Sequence, residues 1–269
     1  MQQKEFDFYI VPTPIGNLSD ISLRAIEILK SVDVIACEDS RVTQKILNHF
    51  DIKTKLISYH KYNEKSRVDF LIGLLNEGKR IALVSDAGTP MICDPGNLLL
   101  KSLISNKITF TALPGPSALT TFLSMTPRED EVFTFVGFIP RTKSQISEII
   151  DTYANSNIVF YESPNRILKT LEIIKELKGN VNVSLARELT KLFEESVVDT
   201  IQNVIEHYKS GIKGEIVCMI YKTVDSSEFN IVSAINKLKN NGYKSKEISK
   251  ILSLLTDVPK NKIYELASS

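Results

Sequence analysis

The chain has 269 residues, 43% of them hydrophobic and 24% charged, enough for one large core or two smaller ones. A formal net charge of +1 excludes the overall basic field by which many nucleic-acid binders announce themselves, but leaves room for a local patch. No stretch of about 18 apolar residues occurs and the N-terminus lacks a signal-like apolar run, so the expectation is a soluble, cytoplasmic chain without a membrane span.

In chain order, FYIVPT, VIAC, KLISY, IALVS and ITFTAL read as short buried strands. Helical periodicity separates them at Leu18 to Lys30, Val42 to Phe50, Arg67 to Asn76, Asn97 to Ile104 and Ser117 to Ser124. This alternation predicts an α/β fold with a largely parallel sheet, whose ligands gather outside the carboxyl ends of the strands. The charged connection MTPRED, residues 125–130, then changes the rhythm and places a domain boundary near 127.

VFTFVGF, NIVFYES, VNVSLARE and EIVCMIYK are the strands of a second α/β domain spanning 127–224, with a mixed sheet and clear helices at Ile146 to Tyr153 and Arg166 to Leu177. The polar segment TVDSSE, 223–228, reads as a linker. Beyond it Ile248, Ile251, Leu252 and Leu255 repeat at helical spacing behind a capping pair of Ser245 and Glu247. From 228 onward the charge is +3, so 228–269 is a basic helical extension on which RNA contact competes with an ordinary solvated lysine face.

Cys37, Cys93 and Cys218 are widely spaced and no metal-ligand spacing joins them to His49, His60 or His207, so neither zinc nor a disulfide framework is expected. Three Gly/Pro turns follow strands of the first half: VPTPIGN at 11–17, SDAGTP at 85–90 and LPGPSA at 113–118. Neither G-x-G-x-x-G nor G-x-x-x-x-G-K-[ST] occurs, so nothing cradles a phosphate in the usual way, and without G-x-S-x-G the common hydrolase elbow is missing.

A ligand with an amino acid end, a nucleoside end and no phosphate suits such loops, and S-adenosylmethionine has that form. Asp86 can accept from a ribose or an amine, or else close an Asx-turn onto the amide of Gly88 or Thr89. Gly88 permits close backbone approach, and Ser117 can cap the following helix while presenting its hydroxyl. Arg166 stands at a helix start, against the dipole, where it can pair with Glu162 or meet an RNA phosphate.

The ordered set TPIGNLSDIS, ACEDSR, ISYH, LVSDAGTPMICDPG, LPGPSA, GFIPR, FYESPNR and ARELTK, from about residue 8 to 221, resembles the ribosomal RNA small subunit methyltransferase I family within the tetrapyrrole methylase superfamily. The resemblance implies two α/β domains, 1–126 and 127–224, with S-adenosylmethionine in the cleft between them, in a homodimer. It implies methyl transfer to the ribose 2′-oxygen of a cytidine in the decoding region of 16S rRNA.

Carried over by motif, the cofactor contacts implied are Pro14, then Asp86, Ala87, Gly88 and Met91, then Pro116, Ser117 and Ala118. The second domain would add Tyr161, Glu162, Ala186 and the stretch at Gly214 and Glu215. Arg187, Glu188 and Lys191 in ARELTK are catalytic candidates, and Arg41 and Arg166 are candidates for RNA. Glu38, Asp39 and His60 compete with Glu188 as the proton acceptor. Asn165 stands where the family usually has His, which puts any role for a histidine there in doubt. The alternatives are a methyltransferase acting on a tetrapyrrole or other small molecule, and a non-catalytic RNA-binding assembly factor.

Overall fold

In the computed structural model the described residues are 4–129, 131–222, 231–256 and 258–268. The predicted linker at 223–228 and residue 130 of the charged connection lie outside them. Two compact units result, one reaching to Tyr221 and one beginning at Lys222.

The larger unit opens with a parallel sheet of five strands: β1 (Phe8–Ile10), β2 (Val34–Cys37), β3 (Lys55–Ser58), β4 (Ile81–Val84) and β5 (Phe110–Ala112). Their order is β3-β2-β4-β1-β5, and every pairing is parallel. Successive strand residues face opposite ways, which lets both faces bury apolar side chains. Tyr9, Ile35, Ala82 and Val84 meet α1 (Leu23–Ser31) and α2 (Ser40–His49) on one face. Phe8, Val34, Ile81 and Leu83 meet α3 (Glu64–Asn76) and α4 (Asn97–Ser105) on the other.

The helix expected over 18–30 is divided. Asn17 accepts from the Ser19 amide to cap a short 3-10 turn at Leu18–Asp20, and Ser22 accepts from the Ala25 amide to start α1. Two side-chain caps five residues apart restart the helix, which apolar periodicity does not register.

The second sheet is mixed, in the order β6 (Phe133–Phe138), β7 (Asn157–Glu162), β10 (Ile216–Ile220), β8 (Asn182–Arg187) and β9 (Glu195–Thr200). β6 runs parallel to β7, and the remaining pairs are antiparallel. Strand β9 and the following α8 (Ile201–His207) are not among the elements read from the sequence. Three of the six β9 residues are partly buried and the other three exposed, the pattern of an edge strand rather than of an apolar run.

One face of this sheet packs on α6 (Lys143–Thr152), α7 (Ile167–Lys178) and α8. Its other face carries Val159, Ala186, Val217 and Met219, which bury against Ile15, Leu189 and Phe122 of α5 (Ala118–Met125). The loop after β1 and the helix after β5 are thereby fastened to the second sheet.

The smaller unit holds α9 (Ile231–Asn240), α10 (Ser245–Leu255) and α11 (Lys260–Ser268) around Ile235, Ile248, Leu252, Ile263 and Ala267. The expected cap is revised there. Glu247 does accept the Lys244 amide (2.9 Å), but the Ser245 hydroxyl donates to the Ala267 carbonyl (2.7 Å) and ties two helices together. No helix among the described residues is long and apolar enough to cross a membrane.

Candidate functional site

Strands β4, β1 and β5 are neighbours, so the three Gly/Pro loops leave the sheet side by side. They are also cross-linked. Thr13 and Gly88 exchange amide and carbonyl bonds of 2.9 Å, the Thr13 hydroxyl donates to the Ser85 carbonyl (3.0 Å), and Thr89 donates to the Pro116 carbonyl (3.0 Å). A cavity of about 420 Å³ opens above them. Its floor is Ile15, Asp86 to Thr89, Ser117 and Ala118, one wall is Ile92 to Asp94, and the second sheet supplies Phe138, Tyr161 to Pro164, Leu189 and Gly214 to Val217.

Nine of the thirteen expected cofactor positions line this space: Asp86, Ala87, Gly88, Ser117, Ala118, Tyr161, Glu162, Gly214 and Glu215. Gly88 has φ +79°, and a Cβ there would lie 3.3 Å from the Ile15 side chain. The Ser117 side chain makes no capping bond, and the residue lines the cavity.

The other four sit behind the lining. Pro14 is buried, and Pro116 supports the second loop through its carbonyl. Ala186 is fully buried beneath Val217 and Leu189. Met91 has φ +67° and packs so tightly on Gly96 that a Cβ there would lie 2.6 Å from its Cγ.

Asp86 makes neither anticipated Asx bond in preference to a longer-range one. Its Oδ1 accepts the Asp39 amide (2.9 Å), joining the end of β4 to the end of β2. Asp39 in turn accepts the Arg41 amide at 2.8 Å and binds the Arg41 guanidinium at 3.0 and 2.6 Å. These bonds from Arg41, side chain first, pull the Asp39 carboxyl down to about 2. Arg41 remains 87% exposed, but its fork is committed to Asp39.

The second RNA candidate is also committed. Arg166 binds the Glu162 carboxylate at 3.0 Å and donates to the Pro140 and Ile139 carbonyls at 2.9 and 3.4 Å. Glu162, its side chain 1% exposed, further accepts from the Ser163 amide (2.7 Å) and the Thr170 hydroxyl (2.8 Å). Here the pairing alternative for Arg166 prevails, and the group stitches β6, β7 and α7 together.

The ARELTK candidates separate by face. Arg187 alternates away from Ala186 and turns from the cavity to Glu195 (2.6 Å), whose other oxygen meets His207 (2.8 Å). Glu188 and Lys191 stay at the rim: Lys191 bridges Glu188 (2.8 Å) and Glu215 (3.0 Å), and Glu188 also accepts the Glu215 amide at 3.0 Å.

The hydrogen bond from Lys191 holds the Glu188 carboxyl below its usual value against the effect of burial. Burial opposes the charge on Lys191, yet its bonds to both glutamates raise its pKa and keep it cationic. Gly16 explains the close fit of loop and rim, since a Cβ there would fall 2.4 Å from the Lys191 Cγ.

One pH dependence follows. Glu188 has its pKa lowered from 4.5, so its stabilisation is complete above about pH 4.5 and is lost as pH falls through the folded value. Lys191→Met should lower stability by about 1–2 kcal/mol at pH 7. Urea unfolding at successively lower pH should show that gap shrinking once the pH falls below about 4.5, whereas an undiminished gap would assign the effect to packing.

Sequence reasoning missed Asp94 as a site residue, although MICDPG had been singled out. Burial first, then the charge of Asp86, raises its pKa against a bond from Ser85. Glu38, next to it in a small adjoining cavity, is raised by burial and by Asp86 and Asp94. Phe138 is a further lining residue that the motifs did not assign, and it meets the expected Tyr161 there. Their rings stack edge-on at 5.6 Å beside a bulge between Phe135 and Phe138, and burial pushes the Tyr161 phenol up to about 12. His60 sits outside the lining, with its Nδ1 buried and unpartnered within the described residues.

A family model described as Tetrapyrrole (Corrin/Porphyrin) Methylases matches residues 7–205. Ribosomal RNA small subunit methyltransferase I of Halalkalibacterium halodurans is 41% identical, covering 96% of this chain and 93% of that one. The protein of the same name from Hydrogenobaculum sp. is 47% identical over 80% of this chain and 95% of its own. The chain belongs to the ribosomal RNA small subunit methyltransferase I family.

A family member of that name from Bacillus subtilis is 37% identical over 96% of this chain and 92% of its own. Among solved structures, diphthine synthase superposes with a TM-score of 0.65 at 14% identity, covering 83% of this chain and 93% of that one. Uroporphyrin-III C-methyl transferase from Thermus thermophilus, complexed with S-adenyl homocysteine, gives 0.56 at 14% identity over 79% and 96% of the two chains. At those identities the structural likeness establishes the fold, and the family assignment rests on the sequence relatives.

Proposed function

We propose that this chain transfers the methyl group of S-adenosylmethionine to the ribose 2′-oxygen of a cytidine in the decoding region of 16S rRNA, within the small ribosomal subunit, and works as a cytoplasmic homodimer of two-domain subunits divided near residue 127. The observation that carries the reading is the convergence of three cross-linked strand-end loops beneath an apolar cavity without a phosphate cradle. That cavity suits a cofactor that carries an adenosine and an amino acid but no phosphate. About 420 Å³ is within the usual range for small-molecule sites. The missing Cβ at Gly88 keeps open the space that a side chain would occupy.

S-adenosylmethionine supplies an electrophilic methyl group on a positive sulfur. In this reading Asp86, fixed by the Asp39 amide, and the Ser117 hydroxyl supply its polar contacts, while Ile15, Ala87, Ala118 and Val217 enclose its apolar surface. Holding acceptor and donor in line supplies much of the acceleration.

The hydroxyl proton needs an acceptor. Asp39 is stabilised as an anion by Arg41, and Glu188 by Lys191, which makes both weak bases. Asp94 and Glu38 both have a raised pKa, and of the two Asp94 lies in the cavity wall, so in this reading it is the proton acceptor; Lys191, held cationic at the rim, favours a developing alkoxide. Glu188 then acts as a positioning residue for Lys191.

Asp94→Asn should cut methyl transfer about 100-fold or more while S-adenosylmethionine affinity stays within about twofold. Full activity in that variant would remove Asp94 from the mechanism. The function itself is tested by transfer from labelled cofactor to small subunits from cells lacking this chain, with the modified ribose mapped by mass spectrometry. Transfer to a porphyrinoid instead would favour small-molecule chemistry, and cofactor binding without turnover on either would favour an assembly factor.

A further inference from the structure

The turn joining β8 to β9 presents two large apolar side chains to solvent: Leu192 is 91% exposed and Phe193 is 67% exposed. This turn is not loose. Glu188 and Thr190 take left-handed φ values of +51° and +66°, which non-glycine residues adopt only when the surroundings enforce it. The surroundings do so through backbone bonds from Lys191 to Glu188 (3.0 Å) and from Glu194 to Lys191 (3.1 Å), a bond from the Thr190 amide to the Glu194 carboxylate, and the Lys191 bridge to Glu215. A strained, heavily braced turn that exposes an adjacent Leu and Phe holds them there against the hydrophobic effect.

Its position identifies what covers it. Leu189, the first apolar residue of the turn, lines the cavity, and the Glu188 amide donates to the Glu215 carbonyl at 3.0 Å, so the tip rises directly from the cavity's rim. On the same rim Lys213, adjacent to the lining residue Gly214, is exposed and forms no ion pair among the described residues. A ribose brought to this cavity has its own base and its neighbours' bases and phosphates at the mouth. An aromatic side chain and an unpaired cation on segments that both border the cavity complement a base and a phosphate.

We propose that Leu192 and Phe193 form a platform at the mouth of the cavity on which an unstacked nucleobase flanking the acceptor ribose packs, with Lys213 facing the adjoining phosphate. This deepens the RNA reading above and rests on it. The platform separates the acceptor strand from its stacked neighbours and holds it against the rim while Asp94 and Lys191 act on the hydroxyl.

The test compares wild type, Phe193→Ser, Leu192→Ser, Phe193→Tyr and Lys213→Gln in the full chain, using small subunits from cells lacking it as acceptor. Both serine variants should raise KM for the subunit about tenfold or more, with S-adenosylmethionine affinity and sedimentation unchanged, and Phe193→Tyr should restore most of the loss. Lys213→Gln should weaken subunit binding and make its salt dependence shallower. Unchanged KM in the serine variants overturns the platform. So does a shift to a smaller sedimenting species, which would assign the patch to a second copy of the chain. A wild-type protein that neither binds nor methylates small subunits fails at the level of the RNA reading, before the platform is in question.

Discussion

Gly88→Val is expected to weaken S-adenosylmethionine binding by roughly a hundredfold or more, equivalent to about 2.7 kcal/mol. Gly88 has φ +79°, a region where a β-branched residue is an outlier, and its added Cβ would stand 3.3 Å from Ile15 and 3.8 Å from the Pro116 carbonyl oxygen. Backbone strain of about 1–3 kcal/mol is small against an ordinary stability of about 5–15 kcal/mol, so the protein should remain folded. Calorimetric titration with S-adenosylmethionine, beside a thermal melt, separates the outcomes. Unchanged affinity removes the second loop from the cofactor site, and a collapsed melt shows that the bonds exchanged with Thr13 sustain the fold itself. Gly88→Ala should fall between, because the positive φ persists while the intrusion is smaller.

Glu162→Ala is expected to have the largest effect on stability, about 3 kcal/mol, lowering Tm by roughly 10 °C. The carboxylate is 1% exposed and receives the Arg166 guanidinium, the Thr170 hydroxyl and the Ser163 amide. Removing it leaves a partly buried arginine and two donors without their acceptor, and exposing the Arg166 head to solvent relieves only part of that cost. Thermal unfolding should show the loss both with and without S-adenosylmethionine. A change in cofactor affinity with an unaltered melt would instead make Glu162 a direct ligand. The Arg166→Met, Glu162→Gln double variant should recover part of the lost stability, since it removes the unpaired charge and keeps an amide for Thr170 and Ser163.

The alternation of short apolar runs with helical periods was enough to read the parallel sheet, because each of its strands is buried on both faces and leaves a continuous signature. The positions of SDAGTP and LPGPSA at strand ends were equally legible, since glycine and proline mark turns through backbone constraint. Edge strand β9 was not legible: half its residues are exposed and the rest only partly buried, which leaves no apolar alternation to read.

At the site, local residue type could nominate Arg166, Arg187 and Glu188 together, but it could not say which way each side chain turns. That depended on pairing: β8 against β10 and β9 sends Ala186 toward the cavity side and Arg187 toward Glu195, while the β6–β7 junction offers Arg166 two carbonyls and a buried carboxylate. Asp94 gained its altered proton affinity only when folding placed it in a partly dry wall near Asp86. What the amino-acid order determined by itself was the set of buried elements, the family and the loops that border the cavity. What only the tertiary structure decided was which charges neutralise one another and which remain available, because the distances and dielectric that govern those energies arise when residues remote in sequence are packed together.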